Sequence, residues 1–152
     1  MATSTLIQFL AEGEGIDTSN RRQLETFLAD GTIAEGAPVM FDIAESDDGD
    51  KVLKVVESAA DAAAIGVAIE GASAGDQVRV CLAGICEALV KGTNNAGNAA
   101  IAAGDYIVQG DVAGEFYKYT AGTDAVPHGV CVDAVASGAA AALVTVIVLK
   151  QF

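Results

Sequence analysis

Apolar and polar residues alternate along several short stretches of this chain, and the stretches come in the same order twice. Between Gly66 and Val90 the sequence reads GVAIEGASAGDQVRVCLAGICEALV. It opens with the strand-like run Val67-Ala68-Ile69-Glu70 and turns through Gly71-Ala72-Ser73-Ala74-Gly75-Asp76. Val78, Val80 and Leu82 then alternate with Gln77, Arg79 and Cys81. A period of two is what a half-buried strand requires, because successive side chains leave opposite sides of the pleat. The plan returns in Gly129-Val-Cys-Val-Asp133, a small-residue turn through Ser137-Gly138, and Val144, Val146 and Val148. Upstream, Ile33-Ala-Glu-Gly-Ala-Pro-Val39 matches Ile101-Ala-Ala-Gly-Asp-Tyr-Ile107. The repeat spans about residues 33–90 and 101–149, with the second copy shorter between its turn glycines. Units of this length are too long for a solenoid.

These patterns predict a mainly β protein, a small β-barrel or sandwich built from two duplicated halves. An N-terminal arm with one short helix (residues 1–31) precedes the β domain (32–152). Within the arm, residues 5–10 suit a short strand or extended segment, and Glu12-Gly-Glu-Gly15 breaks it. Residues 19–28 suit a helix: Asn20 with Gln23 resembles a capping box, and Leu24, Phe27 and Leu28 share a face. A strand is the alternative there. Strands are expected at 39–43 and 52–57, with Asp48-Gly49 as the hairpin signal between them, and at 106–109 and 115–120. Residues 92–98 read as the loop between copies.

Composition changes this picture in one respect. Hydrophobic residues make up 52% of the 152, yet aromatics only 5%, with no Trp and 17 Gly. Small side chains bury little area each, at ~25 cal/mol per Å², so an oligomer interface is expected to supplement the core. The net charge of −13 opposes nucleic acid, whose binding rests on Lys and Arg neutralising phosphates, and anionic membrane surfaces alike. No basic region followed by an apolar stretch opens the chain, so a soluble protein made in a cytoplasm is expected. The apolar run 134–149 is shorter than the ~20 residues a spanning helix needs and is read as a buried strand.

Candidate chemistry is sparse. Asp47-Asp48-Gly49-Asp50 lacks EF-hand spacing and reads as a solvated hairpin tip. Cys81, Cys86, Cys131 and His128 match a Cys₃His zinc set in number but not in spacing, and reduced, partly buried thiols are the simpler assignment. There is one His and no phosphate-binding glycine loop; Gly71-Ala-Ser-Ala-Gly75 has the letters Gly-x-Ser-x-Gly, but its Ser73 sits in a small-residue turn and not at a strand-to-helix elbow. No catalytic, cofactor or metal site is expected, and the chain is not read as an enzyme.

Ser19-Asn-Arg-Arg-Gln-Leu-Glu-Thr-Phe-Leu-Ala29 with Thr32-Ile-Ala-Glu-Gly-Ala-Pro-Val39 resembles the N-terminal part of tailed-bacteriophage capsid cement (head decoration) proteins. Ile65-Gly-Val-Ala-Ile69, Ala74-Gly-Asp-Gln-Val-Arg-Val80 and Leu82-Ala-Gly84 resemble the same group. The resemblance implies a structural virion protein that binds the outer surface of a phage head and bridges major capsid protein subunits, commonly as a homotrimer. Residues 2–28 are then the candidate capsid-contacting arm, with Arg21, Arg22, Gln23 and Phe27 as contact candidates. The alternative is a head-fibre or tail-associated β module that binds host-surface glycans. Phe116, Tyr117 and Tyr119 would be its aromatic cluster, although core and interface packing explains their alternation more simply.

Overall fold

A computed structural model describes residues 22–60, 62–124 and 126–150. In chain order the elements are β1 (Gln23–Ala29), β2 (Pro38–Phe41), α1 (Asp48–Leu53), β3 (Lys54–Glu57), β4 (Gly66–Ala68) and β5 (Gln77–Val90). There follow β6 (Thr93–Asn94), β7 (Gly97–Asn98), β8 (Tyr106–Gln109), β9 (Phe116–Lys118), β10 (Gly129–Cys131) and β11 (Ala142–Val148). Nine of the strands join in one mixed sheet, ordered β1-β3-β2-β4-β5-β11-β10-β8-β9, while β6 and β7 pair separately. Both ends of this sheet return to its longest strand, since β5 also pairs with β1 and with β9. The chain is mainly β and built of two duplicated halves, each of which closes its own circuit of strands through β5.

Register makes the duplication explicit. In the first half Val39 pairs with Glu57 and Pro38 with Val67; in the second, Ile107 pairs with Lys118 and Tyr106 with Val130. The isolated bridges Ile33–Ala72 and Ile101–Val135 correspond. So do the parallel contacts Ala29–Val55 and Val90–Phe116 that close the two circuits. By this last match β1 is the counterpart of the second part of β5, and the repeat gains one strand upstream of residue 33. The long β5 therefore ends one unit and begins the next. Gly84 (φ 104) lies where it passes from one circuit to the other.

Each circuit has its own core. Ile33, Val39, Val55, Ala68, Val78, Val80 and Leu82 fill the first, with Phe27, Phe41 and Ile65 packed at its margin. Ile101, Ile107, Phe116, Cys131, Val135, Val146 and Val148 fill the second, which also takes in Val67 and Cys81 from the first half. The even-numbered residues of β5 point inward throughout: Val78, Val80 and Leu82 belong to one core, and Cys86, Ala88 and Val90 to the other. This is the period-two pattern of the sequence.

Two local expectations are corrected. The part of the expected helix 19–28 that lies among the described residues, from Gln23 on, is strand β1. The three-residue spacing of Leu24 and Phe27 fits a helix face, but β5 offers an antiparallel partner from Ala83 to Gln77, with one register shift between Gln23 and Leu24, and that ladder satisfies the backbone groups of a Thr/Phe-bearing segment. The short helix falls elsewhere, at the expected Asp48-Gly49 hairpin tip. Asp47 caps it by accepting the Gly49 amide at 2.8 Å, Asp48 and Asp50 occupy its first turn and Lys51 its last, an order the helix dipole favours. Strand β3 consequently begins at Lys54. The flanking strands still pair antiparallel, so α1 is an insertion in a hairpin, and it accounts for the greater length of the first copy. Of the apolar run 134–149, residues 142–148 form strand β11, paired along its length with β5. Among the described residues no helix is long and apolar enough to cross a membrane.

Candidate functional site

Among the described residues, the insertion that distinguishes the first half and its flank expose three large apolar side chains. Ile43, Val52 and Leu53 are 72%, 58% and 56% exposed. Their loop is latched by charge: Lys54 Nζ reaches Glu45 at 2.6 Å and Asp50 at 3.2 Å, and Lys51 pairs with Asp48 at 2.7 Å. Asp42 accepts the Ala44 amide at 3.0 Å. Asp30 joins Asp42 and Glu45 in a carboxylate group at the base of the hairpin. Its carboxyl is pushed above the usual range, first by a hydrogen bond with Asp42 and then by burial. Lys54 is held charged, mainly by hydrogen bonding to Glu45 and then Asp50. The result is an apolar tip set in a collar of carboxylates, suited to an apolar depression with a basic rim. The pattern of the chain places Ile43 and Val52-Leu53 in the flanking strands 39–43 and 52–57, with only the acidic run between them as a solvated tip. A signal was available in Val52-Leu53 following directly on the acidic run.

The contact candidates fall into three environments. Arg21 lies outside the described residues. Arg22 is half-buried at the entry to β1 and lines a cavity of about 220 Å³ with Ile69, Ile85, Cys86 and two acids, Glu35 and Glu87. Gln23 is exposed and donates to Glu25 at 3.3 Å. Phe27 is partly buried, edge-on to Phe41 with ring centroids 5.8 Å apart. Arg22 and Gln23 thus lie at the start of β1, and Phe27 faces the margin of the first core.

The Cys and His residues do not converge. Cys81 and Cys86 touch, and hydrogen bonding from Cys86 holds the Cys81 thiol below its ordinary range while Cys86 is pushed up. Cys131 donates to the Asp133 carbonyl at 3.0 Å. His128 Nε2 accepts the Ala64 amide at 3.1 Å, so Nδ1 carries the proton of the neutral ring. Burial lowers its pKa.

His128 also lines a second cavity, about 540 Å³, with Gln109, Tyr117, Asp124 and Val126. Gln109 and His128 are 2% and 7% exposed, and Gln109 Oε1 and His128 Nδ1 have no partner. Asp124 accepts from the Tyr117 hydroxyl at 3.0 Å and from the Thr120 amide. The corresponding positions of the first half carry Phe41 and Ile65, so the fold does not require polar residues there.

No family model matches this chain, and no curated protein sequence matches it. Among solved structures it is similar to the N base of head fiber gp8.5 of bacteriophage phi29, with a TM-score of 0.57 and 17% identity. The match covers 85% of this chain and 95% of that one. At this identity the likeness is one of fold, and it extends over both duplicated halves.

Proposed function

We propose that the chain is a structural protein of a bacteriophage head, a decoration or cement protein that binds the outer surface of the capsid and bridges major capsid subunits. The observation that carries this reading is the fold it shares with the phi29 head-fiber base over nearly the whole of both chains. The motif resemblance of residues 19–39 and 65–84 to cement proteins gives independent support. The chain acts by adhesion and not by catalysis, as a homotrimer whose repeated weak contacts add through effective concentration. It needs no cofactor and binds neither nucleic acid nor membrane, in keeping with its charge of −13. The hairpin tip with Ile43, Val52 and Leu53 is the principal capsid contact in this proposal, joined by Arg21, Arg22 and Gln23 of the arm. Its place is the virion exterior, reached after synthesis in the host cytoplasm.

A second reading is favoured by two observations: the neighbour is a fiber base, and the cavity beside His128 and Gln109 holds unpartnered buried polar atoms where the first half has apolar residues. In it the chain is a head-fibre or tail-associated module that binds a host-surface glycan.

Expanded capsids lacking the protein separate the two. Co-sedimentation with them and a raised temperature of capsid disruption are expected, both reduced by Val52→Asp with Leu53→Asp. A chain that leaves capsids untouched yet is retained on a glycan array would overturn the cement reading in favour of the second.

A further inference from the structure

The duplication supplies an internal comparison, because equivalent surfaces of the two halves meet different surroundings. In the first half the cross-strand row Leu24–Cys81–Val67–Pro38 is turned toward the second half. Val67 and Cys81 are completely buried in the second core, and Leu24 and Ile69 pack against it. The turn at Gly36 (φ 79) completes this joint: its carbonyl accepts the Leu89 amide at 2.8 Å, and a Cβ there would lie 2.3 Å from Leu143 Cδ2.

The equivalent row of the second half is Ile85–Ile147–Val130–Tyr106, with Val132 in the place of Ile69. It is just as apolar, yet Ile147, Val132 and Tyr106 are 39%, 41% and 51% exposed. The turn glycine Gly104 has nothing within 4 Å of where its Cβ would be. The opposite side of the joint shows the reverse asymmetry. Ala88, Gln109 and His128 of the second half are buried, whereas their counterparts Phe27, Phe41 and Ile65 are only partly so. Leu28, the counterpart of Leu89, is 39% exposed. The exposed row also continues from the buried joint, since Ile85 shares one cavity with Ile69 and Cys86.

We infer that a second copy of this chain covers the exposed row, head to tail. The Gly104 turn and the Tyr106–Val130–Ile147 row of one chain seat on the Phe27–Leu28–Phe41–Ile65 end of the next, repeating between chains the contact already made within each. Such a contact is heterologous: it closes into a ring or grows into a filament. Closure after three chains yields the homotrimer of the proposed function. The inference deepens that self-association and does not depend on the capsid partner, so its test uses the full chain alone.

The test is sedimentation equilibrium of the wild type, Ile147→Lys and Leu28→Lys, with circular dichroism to confirm that each variant is folded. Both substitutions fall at partly exposed positions, one on each side of the contact. The wild type is expected at three chains and each variant at one. Because each variant keeps the surface the other has lost, an equimolar mixture is expected to form a species of two chains. A wild type that stays monomeric, with hydrogen exchange showing the row protected, would assign it to the N-terminal segment of the same chain and overturn the inference. Variants that remain trimeric, or that dissociate without pairing when mixed, would place the interface elsewhere. Either result refutes the head-to-tail contact.

Discussion

Gly36→Ala and Gly104→Ala form a matched pair whose difference measures the joint between the halves. Both glycines have positive φ, at 79 and 91, and a side chain in the left-handed region costs roughly 1–2 kcal/mol at either. Only Gly36 adds a steric conflict. A methyl there meets Leu143 Cδ2 at 2.3 Å, which can move, but also the Leu89 backbone nitrogen at 3.0 Å and the Ala88 carbonyl carbon at 3.3 Å, which cannot move without shifting β5. Overpacking of this kind costs about 1–3 kcal/mol. Gly36→Ala should therefore lose about 1–3 kcal/mol more than Gly104→Ala. For a chain of this size that is a difference of roughly 2–12 °C in Tm. Urea titration at a concentration where every sample is monomeric isolates the effect on folding, provided the slopes agree. Equal losses in the two variants would refute the argument that the Gly36 turn is packed into a joint from which Gly104 is free.

His128 predicts a pH dependence. Burial lowers its folded pKa below 6.5, so the unfolded chain takes up the proton first. Stability should be at its full value above pH ~6.5 and fall as pH drops toward the folded pKa, by at most about 1.4 kcal/mol per pH unit. Asp30, with its raised pKa, has the opposite sign and cannot mimic this loss. As there is one His, His128→Asn should flatten the curve between pH 7.5 and 5.5, and an unchanged slope would sink the assignment. Phe116→Ala, at a 2% exposed position, should cost about 3–5 kcal/mol by urea titration, as cavity-forming changes of this size do; a loss below 1 kcal/mol would mean that the second core collapses around the gap. Glu70 accepts from Arg79 through both carboxylate oxygens at 2.9 Å, but both side chains are more than one third exposed. Glu70→Gln should accordingly change stability by less than about 1 kcal/mol, and the difference should shrink in high salt.

Residue pattern alone was sufficient for the β class, the repeat and the inward face of the first part of β5. Each depends on short-range information: Val78, Val80 and Leu82 alternate, and turn residues recur around Gly36 and Gly104. Local pattern could not choose a partner. Leu24 and Phe27 suit a helix as well as a strand, and only the backbone edge of β5 makes them β1. The segment around Asp48 suits a turn or a helix, and the Asp47 cap with the Lys54 latch selects the latter. The exposed apolar tip and the cavity beside His128 were missed because Ile43, Val52, Gln109 and His128 owe their significance to what lies beside them in space. The row comparison shows the limit most sharply. Val67 and Val130 occupy the same place in the same repeated phrase, Gly-Val-x-Val/Ile-acid, and the sequence treats them alike. One is buried in the neighbouring half and the other faces outward, because burial depends on the whole set of surfaces brought together and not on the pattern of any one strand.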